Sequence, residues 1–192
     1  MSLLEIILIG IGLSMDAATV SITNGLANPK IKISKMLLIA IVFGLFQGLM
    51  PLIGYYAGSL FASFIGSVAP WIALVLLCFI GGKMIYECLK KKEELEEIKE
   101  LSFSDLLLQG VATSIDAFAV GITFLGLKEN GDLKYSIFLS VTIIAITTLL
   151  ISFVSVLIGK KFGKIFKNKA EIIGGIILIV LGIKIFVEGI FF

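Results

Sequence analysis

The chain has 192 residues, 58% of them hydrophobic and 16% charged, with a mean hydropathy of +1.11. A soluble domain is nearer half apolar, so this composition excludes one and describes a small integral membrane protein with no expected nucleic-acid partner. The net charge is +2, histidine is absent, and Cys78 and Cys88 lie in one apolar segment without CxxC spacing, which excludes a zinc- or copper-type site and a disulfide framework.

Six apolar runs reach the roughly 20 residues needed to cross about 30 Å of hydrocarbon. They predict helices at 3–25, 36–61, 69–89, 105–126, 136–158 and 170–191. The first begins without the basic stretch of a signal peptide and reads as a span. Near its middle stands Gly12-Leu-Ser-Met-Asp16-Ala-Ala-Thr-Val-Ser-Ile-Thr23. The second carries Gly44-Leu-Phe-Gln47-Gly-Leu-Met-Pro51, where Pro51 lacks the N–H that would bond the Gln47 carbonyl. The third ends in Gly81-Gly-Lys83-Met-Ile-Tyr-Glu87. A charged stretch, 90–104, follows and reads as a solvated linker. Ser102 and Asp105 have the spacing of a capping box opening the fourth span.

That fourth span repeats the first: Ala112-Thr-Ser-Ile-Asp116-Ala-Phe-Ala-Val-Gly-Ile-Thr123, with Ser, Asp, Ala, Val, Ile and Thr recurring one hundred residues on. Glu129-Asn-Gly-Asp132 is a turn of ordinary chemistry. The fifth span places Thr148 where the second has Gln47, and Ser152 where it has Pro51. The sixth repeats the third through Lys184 and Glu188. The chain is therefore expected to be all-α, an integral membrane protein whose six transmembrane helices form two inverted three-helix repeats, 1–89 and 105–192, joined by the linker 90–104.

All sixteen basic residues are lysines, and twelve fall in the loops after the first, third and fifth spans. The positive-inside rule then puts these loops in the cytoplasm and both termini outside it, in a multi-pass protein of the cell membrane. Repeat interfaces can be completed within one chain, so a homodimer is allowed but not required.

A carboxylate at the centre of a spanning helix costs roughly 2.5–3.5 kcal/mol to insert, so its default reading is functional. Asp16 and Asp116 come from oppositely directed spans and both fall at mid-depth. Thr23 and Thr123 share their helical faces, and Gly12 and Ala112 are small enough to allow close helix approach. With Gln47 and Thr148 these groups form an all-oxygen metal-binding set suited to hard divalent ions. Two adjacent carboxylates would not both stay charged once the ion leaves, which predicts metal–proton exchange. The pairs Lys83–Glu87 and Lys184–Glu188 are either local i,i+4 ion pairs or a gate at each mouth. Other readings are an exporter of another divalent cation or of an amino acid, though no intramembrane arginine is present for a carboxylate substrate. An intramembrane aspartyl protease is a further alternative, but it gives no reason for inverted repeats.

Over nearly its whole length the chain resembles the bacterial manganese efflux pump family MntP, within the lysine-exporter-like transporters. The resemblance rests on Ser14-Met-Asp-Ala17, Gly44–Pro51 followed by Gly54, Ala112–Gly121 and Gly174-Gly175. The first motif departs from the family in having Ala18-Thr19 where an aromatic residue is usual, as at Phe118 in the second copy. The resemblance implies six spans, export of manganese(II) as cargo with no resident cofactor, no enzymatic activity, and a requirement for Asp16 and Asp116.

Overall fold

The structure is a computed structural model that describes residues 2–90, 101–129, 135–166 and 170–191. The described residues form helices α1 (Leu3–Ala27), α2 (Ile33–Lys90), α3 (Phe103–Thr113), α4 (Ile115–Glu129), α5 (Ile137–Phe166) and α6 (Ala170–Phe191), with no strand among them. Leu3–Ala27, Ile33–Ala57 and Ile137–Gly163 are each long and apolar enough to cross a membrane. Phe103–Thr113 and Ile115–Leu125 make a fourth span if counted together, bent by 41° between them. This is an all-helical, multi-pass membrane protein. Most of the linker expected at 90–104 and most of the turn at 129–132 lie outside the described residues.

The helical path of α2 covers 58 residues, about 87 Å if it were straight. It is not straight. Lys83 bonds Asp105 at the start of α3, and Leu106, one residue on, lines the same cavity as Ile39. Residues 39 and 83 would stand roughly 66 Å apart on a straight helix, so the chain doubles back between them.

Glycines set the closest helix crossings. The place a side chain would take at Gly54 in α2 is filled by the Phe118 carbonyl of α4, and that at Gly121 of α4 by the Pro51 carbonyl of α2. The crossing of α1 and α5 has the same form: Gly25 meets the Val156 carbonyl, and Gly159 meets the Ile22 carbonyl. In each case the carbonyl belongs to the residue three before the opposing glycine, so two backbones touch reciprocally where a side chain would hold them apart. The far half of α2 packs on α6 through Gly81 and Gly175. One expectation fails here. Gly12 meets nothing within 4 Å of its would-be Cβ, because it lies on the exposed face of α1, and so it mediates no close approach. Gly82 is likewise open.

Capping also departs from the sequence reading. At α1 a complete box forms, with the Ser2 hydroxyl accepting from the Glu5 N–H and the Glu5 carboxylate accepting from the Ser2 N–H. At α3 the Ser102 hydroxyl makes no cap bond. The Asp105 carboxylate instead takes two charge-assisted hydrogen bonds from Lys83, at 2.7 and 3.0 Å, which are stronger than a single bond from a backbone amide. At the opposite, lysine-poor end, Tyr55 and Tyr56 stack edge to face at 5.1 Å, with Lys128 5.4 Å over the Tyr55 ring. Hydrogen bonding to Tyr55 holds the Lys128 ammonium above its ordinary pKa. Aromatic rings and a lysine at a helix end are the usual furniture of a membrane–water boundary.

A candidate ion site at the seam between two cores

The apolar interior divides into two clusters, one toward each end of the bundle. The cluster at the lysine-rich end includes Ala17, Val20, Met36, Phe43, Leu106, Ala112 and Val156, with Phe46 and Phe153 packed on it. The other includes Ile6, Leu13, Tyr55, Ala117, Phe124, Val141 and Ile144, with Met50 beside it. The border between them can be read along α1 to α5. It falls between Leu13 and Ala17 on α1, between Phe46 and Met50 on α2, between Ala112 and Ala117 on α3 and α4, and between Ile144 and Phe153 on α5. Those intervals contain Ser14 and Asp16, Gln47, Thr113 to Asp116, and Thr148 with Ser152. Polar residues of five helices, α1 to α5, thus share one layer, with apolar packing above and below.

Within the layer, Gln47 is fully buried and its Nε2 donates to the Leu13 carbonyl at 3.1 Å, tying α2 to α1. Its Oε1 has no hydrogen-bond partner, nor do the buried hydroxyls of Thr148, Ser152 and Ser21. A buried polar atom without a partner costs of order 1–3 kcal/mol, so a group of them invites an explanation. Asp116 lies within electrostatic reach of Asp16 and near the Gln47 amide. By area Asp116 is exposed, yet protein atoms crowd round it, as they do round a side chain on the wall of a crevice. Asp16 is more enclosed, with 16% of its side chain accessible.

The two aspartates have unlike settings. α1 passes Asp16 without interruption, and the Ser14 hydroxyl donates to the Ile11 carbonyl at 2.7 Å. The fourth span, expected to be continuous, breaks at Ser114. Asp116 therefore stands in the first turn of α4, where its Oδ1 accepts from the Ala117 N–H at 2.8 Å and faces the positive end of the helix. Lys184 of α6 approaches Asp16 with 3.8 Å between Nζ and Oδ1. Both lysines singled out in sequence thus meet acids other than their i+4 neighbours, and the Glu87 and Glu188 side chains lie outside those described.

The threonines differ from the rest of the predicted set. Thr23 is buried and its hydroxyl donates to the Thr19 carbonyl, whereas Thr123 is exposed and donates to that of Ala119. Each is seven residues, about 10 Å, along its helix from its aspartate. A feature not anticipated from sequence is a closed amide pair: Asn24 Nδ2 donates to Gln109 Oε1 at 2.7 Å, and Gln109 Nε2 returns a bond at 3.2 Å. Both are buried on the lysine-rich side of the seam. An asparagine in an apolar run was the available signal for it. Among the described residues, no three acidic, histidine or cysteine side chains converge. From the described residues an ion here would have two carboxylates at most, with neutral oxygens or water for the remainder of its shell.

Fold and layer define a multi-pass helical membrane protein with acids set between two apolar cores. Comparison with known proteins makes the class specific. Residues 30–186 match the family Mntp, described as "Putative manganese efflux pump". A protein of that description from Ruminiclostridium cellulolyticum is 49% identical, over 100% of this chain and 99% of its own. Relatives from Clostridium botulinum and Clostridium perfringens, similarly named, are 46% and 44% identical over 98% of the chain and 96% and 95% of theirs. No solved structure matches. The chain belongs to the MntP family, one of transporters rather than enzymes.

Proposed function

We propose that this protein exports manganese(II) from the cytoplasm, holding the ion between Asp16 and Asp116 in the polar layer and exchanging it for protons. The observation that carries the reading is the seam: two carboxylates and two unpartnered buried oxygens, Gln47 Oε1 and Thr148 Oγ1, occupy the one layer that neither apolar core fills. Hard oxygen donors suit manganese(II), and two negative charges balance its two positive ones. Thr23 and Thr123 are too far along their helices to share an ion with the aspartates and line its route instead. When the ion departs, repulsion between the carboxylates favours uptake of a proton by the pair, which couples metal exit to proton entry.

The arrangement that serves this cycle is six spans in two inverted repeats, 1–89 and 105–192, with both termini outside and the lysine-rich loops in the cytoplasm of a cell whose plasma membrane holds the protein. The like-built crossings of α1 with α5 and of α2 with α4 support the repeat, since inversion exchanges the first pair for the second. Cellular manganese, measured with and without expression, should fall with the native chain and stay high with Asp16→Asn or Asp116→Asn. A native chain that leaves manganese unchanged while lowering another metal reassigns the cargo, and export surviving both substitutions moves the site elsewhere. In vesicles, flux should follow an imposed pH gradient; indifference to that gradient removes the proton from the cycle.

A further inference from the structure

At the lysine-rich end, where residues 28–32 join α1 to α2, the surface opens into a cavity of about 660 Å³. Its lining is basic in part, with Lys30, Lys32 and Lys35, and in part an apolar wall that includes Leu38, Phe103 and Leu106. No carboxylate is among the described residues that line it. Asp105, the acid nearest in sequence to that wall, is engaged by Lys83. The first turn of α2 and that of α3 both border the cavity, so the positive ends of two helix dipoles add to the ammonium charges of Lys30 and Lys32. The joining loop is held in place by Lys160 of α5, whose Nζ donates to the Ile31 carbonyl at 2.7 Å.

The cavity straddles a boundary. The apolar span of α2 begins at Ile33, so Lys30 and Lys32 lie just beyond hydrocarbon, while Leu38 lies within it. Leu38 and Phe103 are 41% and 57% exposed, which leaves the apolar wall open at the flank of the bundle. A free inorganic anion would use the lysines and leave that wall in contact with nothing apolar. A phospholipid uses both sides, with its phosphodiester among the ammonium groups and its acyl chains against the leucines and Phe103. We propose that this cavity is a binding site for an anionic phospholipid, of phosphatidylglycerol type, in the leaflet facing the lysine-rich end. Basic pockets between spanning helices are where such headgroups are recognised, each lysine contributing about five-fold in affinity.

The test is native mass spectrometry of the full-length chain, released from bilayers of phosphatidylcholine mixed with phosphatidylglycerol. The native chain should retain phosphatidylglycerol in preference to phosphatidylcholine. Lys30→Gln/Lys32→Gln should weaken that retention on the order of 20-fold. Lys128→Gln/Lys161→Gln, which removes equal charge outside the cavity, should leave it unchanged. Equal retention by the native chain and the cavity variant overturns the proposal. So does equal loss in the control pair, which would mean general surface charge. Displacement of the lipid by millimolar inorganic phosphate overturns it too, because the site would then be one for free anions.

Discussion

Replacing Gly121 with alanine sets a methyl group against the Pro51 carbonyl, with that carbonyl's carbon and the Pro51 Cα each 2.8 Å from its centre. Ordinary van der Waals contact begins near 3.4 Å, so the axes of α2 and α4 must separate by more than half an ångström. Both surfaces are helix backbone, and neither can swing aside as a side chain would. Overpacking typically costs 1–3 kcal/mol, and a rigid collision belongs at the top of that range. Against about 3 kcal/mol stands the gain of roughly 1 kcal/mol from alanine's better helix propensity, which leaves a net loss of about 2 kcal/mol. At Gly12 the added methyl meets nothing within 4 Å, so Gly12→Ala keeps the propensity gain alone. The two substitutions should therefore differ in sign. Thermal unfolding of the purified chain in detergent should show Gly121→Ala lower by roughly 4–8 °C and Gly12→Ala unchanged or a few degrees higher. Gly159→Ala, which faces the Ile22 carbonyl in the matching crossing, should behave as Gly121→Ala does. Equal melting temperatures for Gly121→Ala and Gly12→Ala would refute the close crossing.

Three further outcomes follow from the polar contacts. Asn24→Leu strands Gln109 in an apolar setting and should cost about 1–3 kcal/mol in the same melt, whereas Asn24→Leu/Gln109→Leu should recover most of it; additive losses would show that the amides do not act as a pair. If Asp16 holds the ion as proposed, Lys184→Met removes an ammonium that competes for it, so manganese binding by titration calorimetry should tighten by up to about five-fold, with little change in stability. Weaker binding would make Lys184 a support of the site rather than a competitor. Lys83→Met leaves Asp105 partly enclosed without its two hydrogen bonds and should cost about 1 kcal/mol after allowance for exposure, while Lys83→Met/Asp105→Asn should restore the loss.

Features carried by local composition were legible in the sequence. Apolar length announces helices, and an acid inside an apolar helix announces itself by its cost, so Asp16, Asp116 and Gln47 could be singled out without coordinates. Repetition at a fixed offset linked Thr148 to Gln47, and both prove to be buried in one layer. What escaped depends on contacts between residues far apart in the chain. No periodicity relates Asn24 to Gln109, which are 85 residues apart, or predicts that Lys184 meets Asp16 rather than only its own helix. Gly12 looked like a packing glycine because it is small, but only the neighbouring helix decides whether smallness is used.

The break at Ser114 is the most instructive of these, because its motif is nearly identical to the one that stays helical at Ser14. Both serine hydroxyls turn back to carbonyls of the preceding turn, Ser14 to Ile11 and Ser114 to Gly110 and Val111, so local hydrogen bonding does not distinguish them. The surroundings do. Gly110 lies against the Phe46 ring of α2, while its counterpart Gly10 packs on Ile144 and Thr147 of α5. As a result the two aspartates, alike in sequence, are balanced by different positive poles: an ammonium group beside Asp16, and a helix N-terminus with the Ala117 amide at Asp116. An ammonium on a flexible stem can withdraw when a cation arrives, whereas a helix terminus cannot move without its helix. A divalent ion that binds both acids must therefore displace Lys184 on one side and contend with the α4 dipole on the other. Closing the bend at Ser114 would carry Asp116 away from that dipole, so the same ion that needs both carboxylates favours the straighter fourth span. On the proposed reading, binding would thereby be tied to a change of helix shape, as a carrier that alternates between two openings requires.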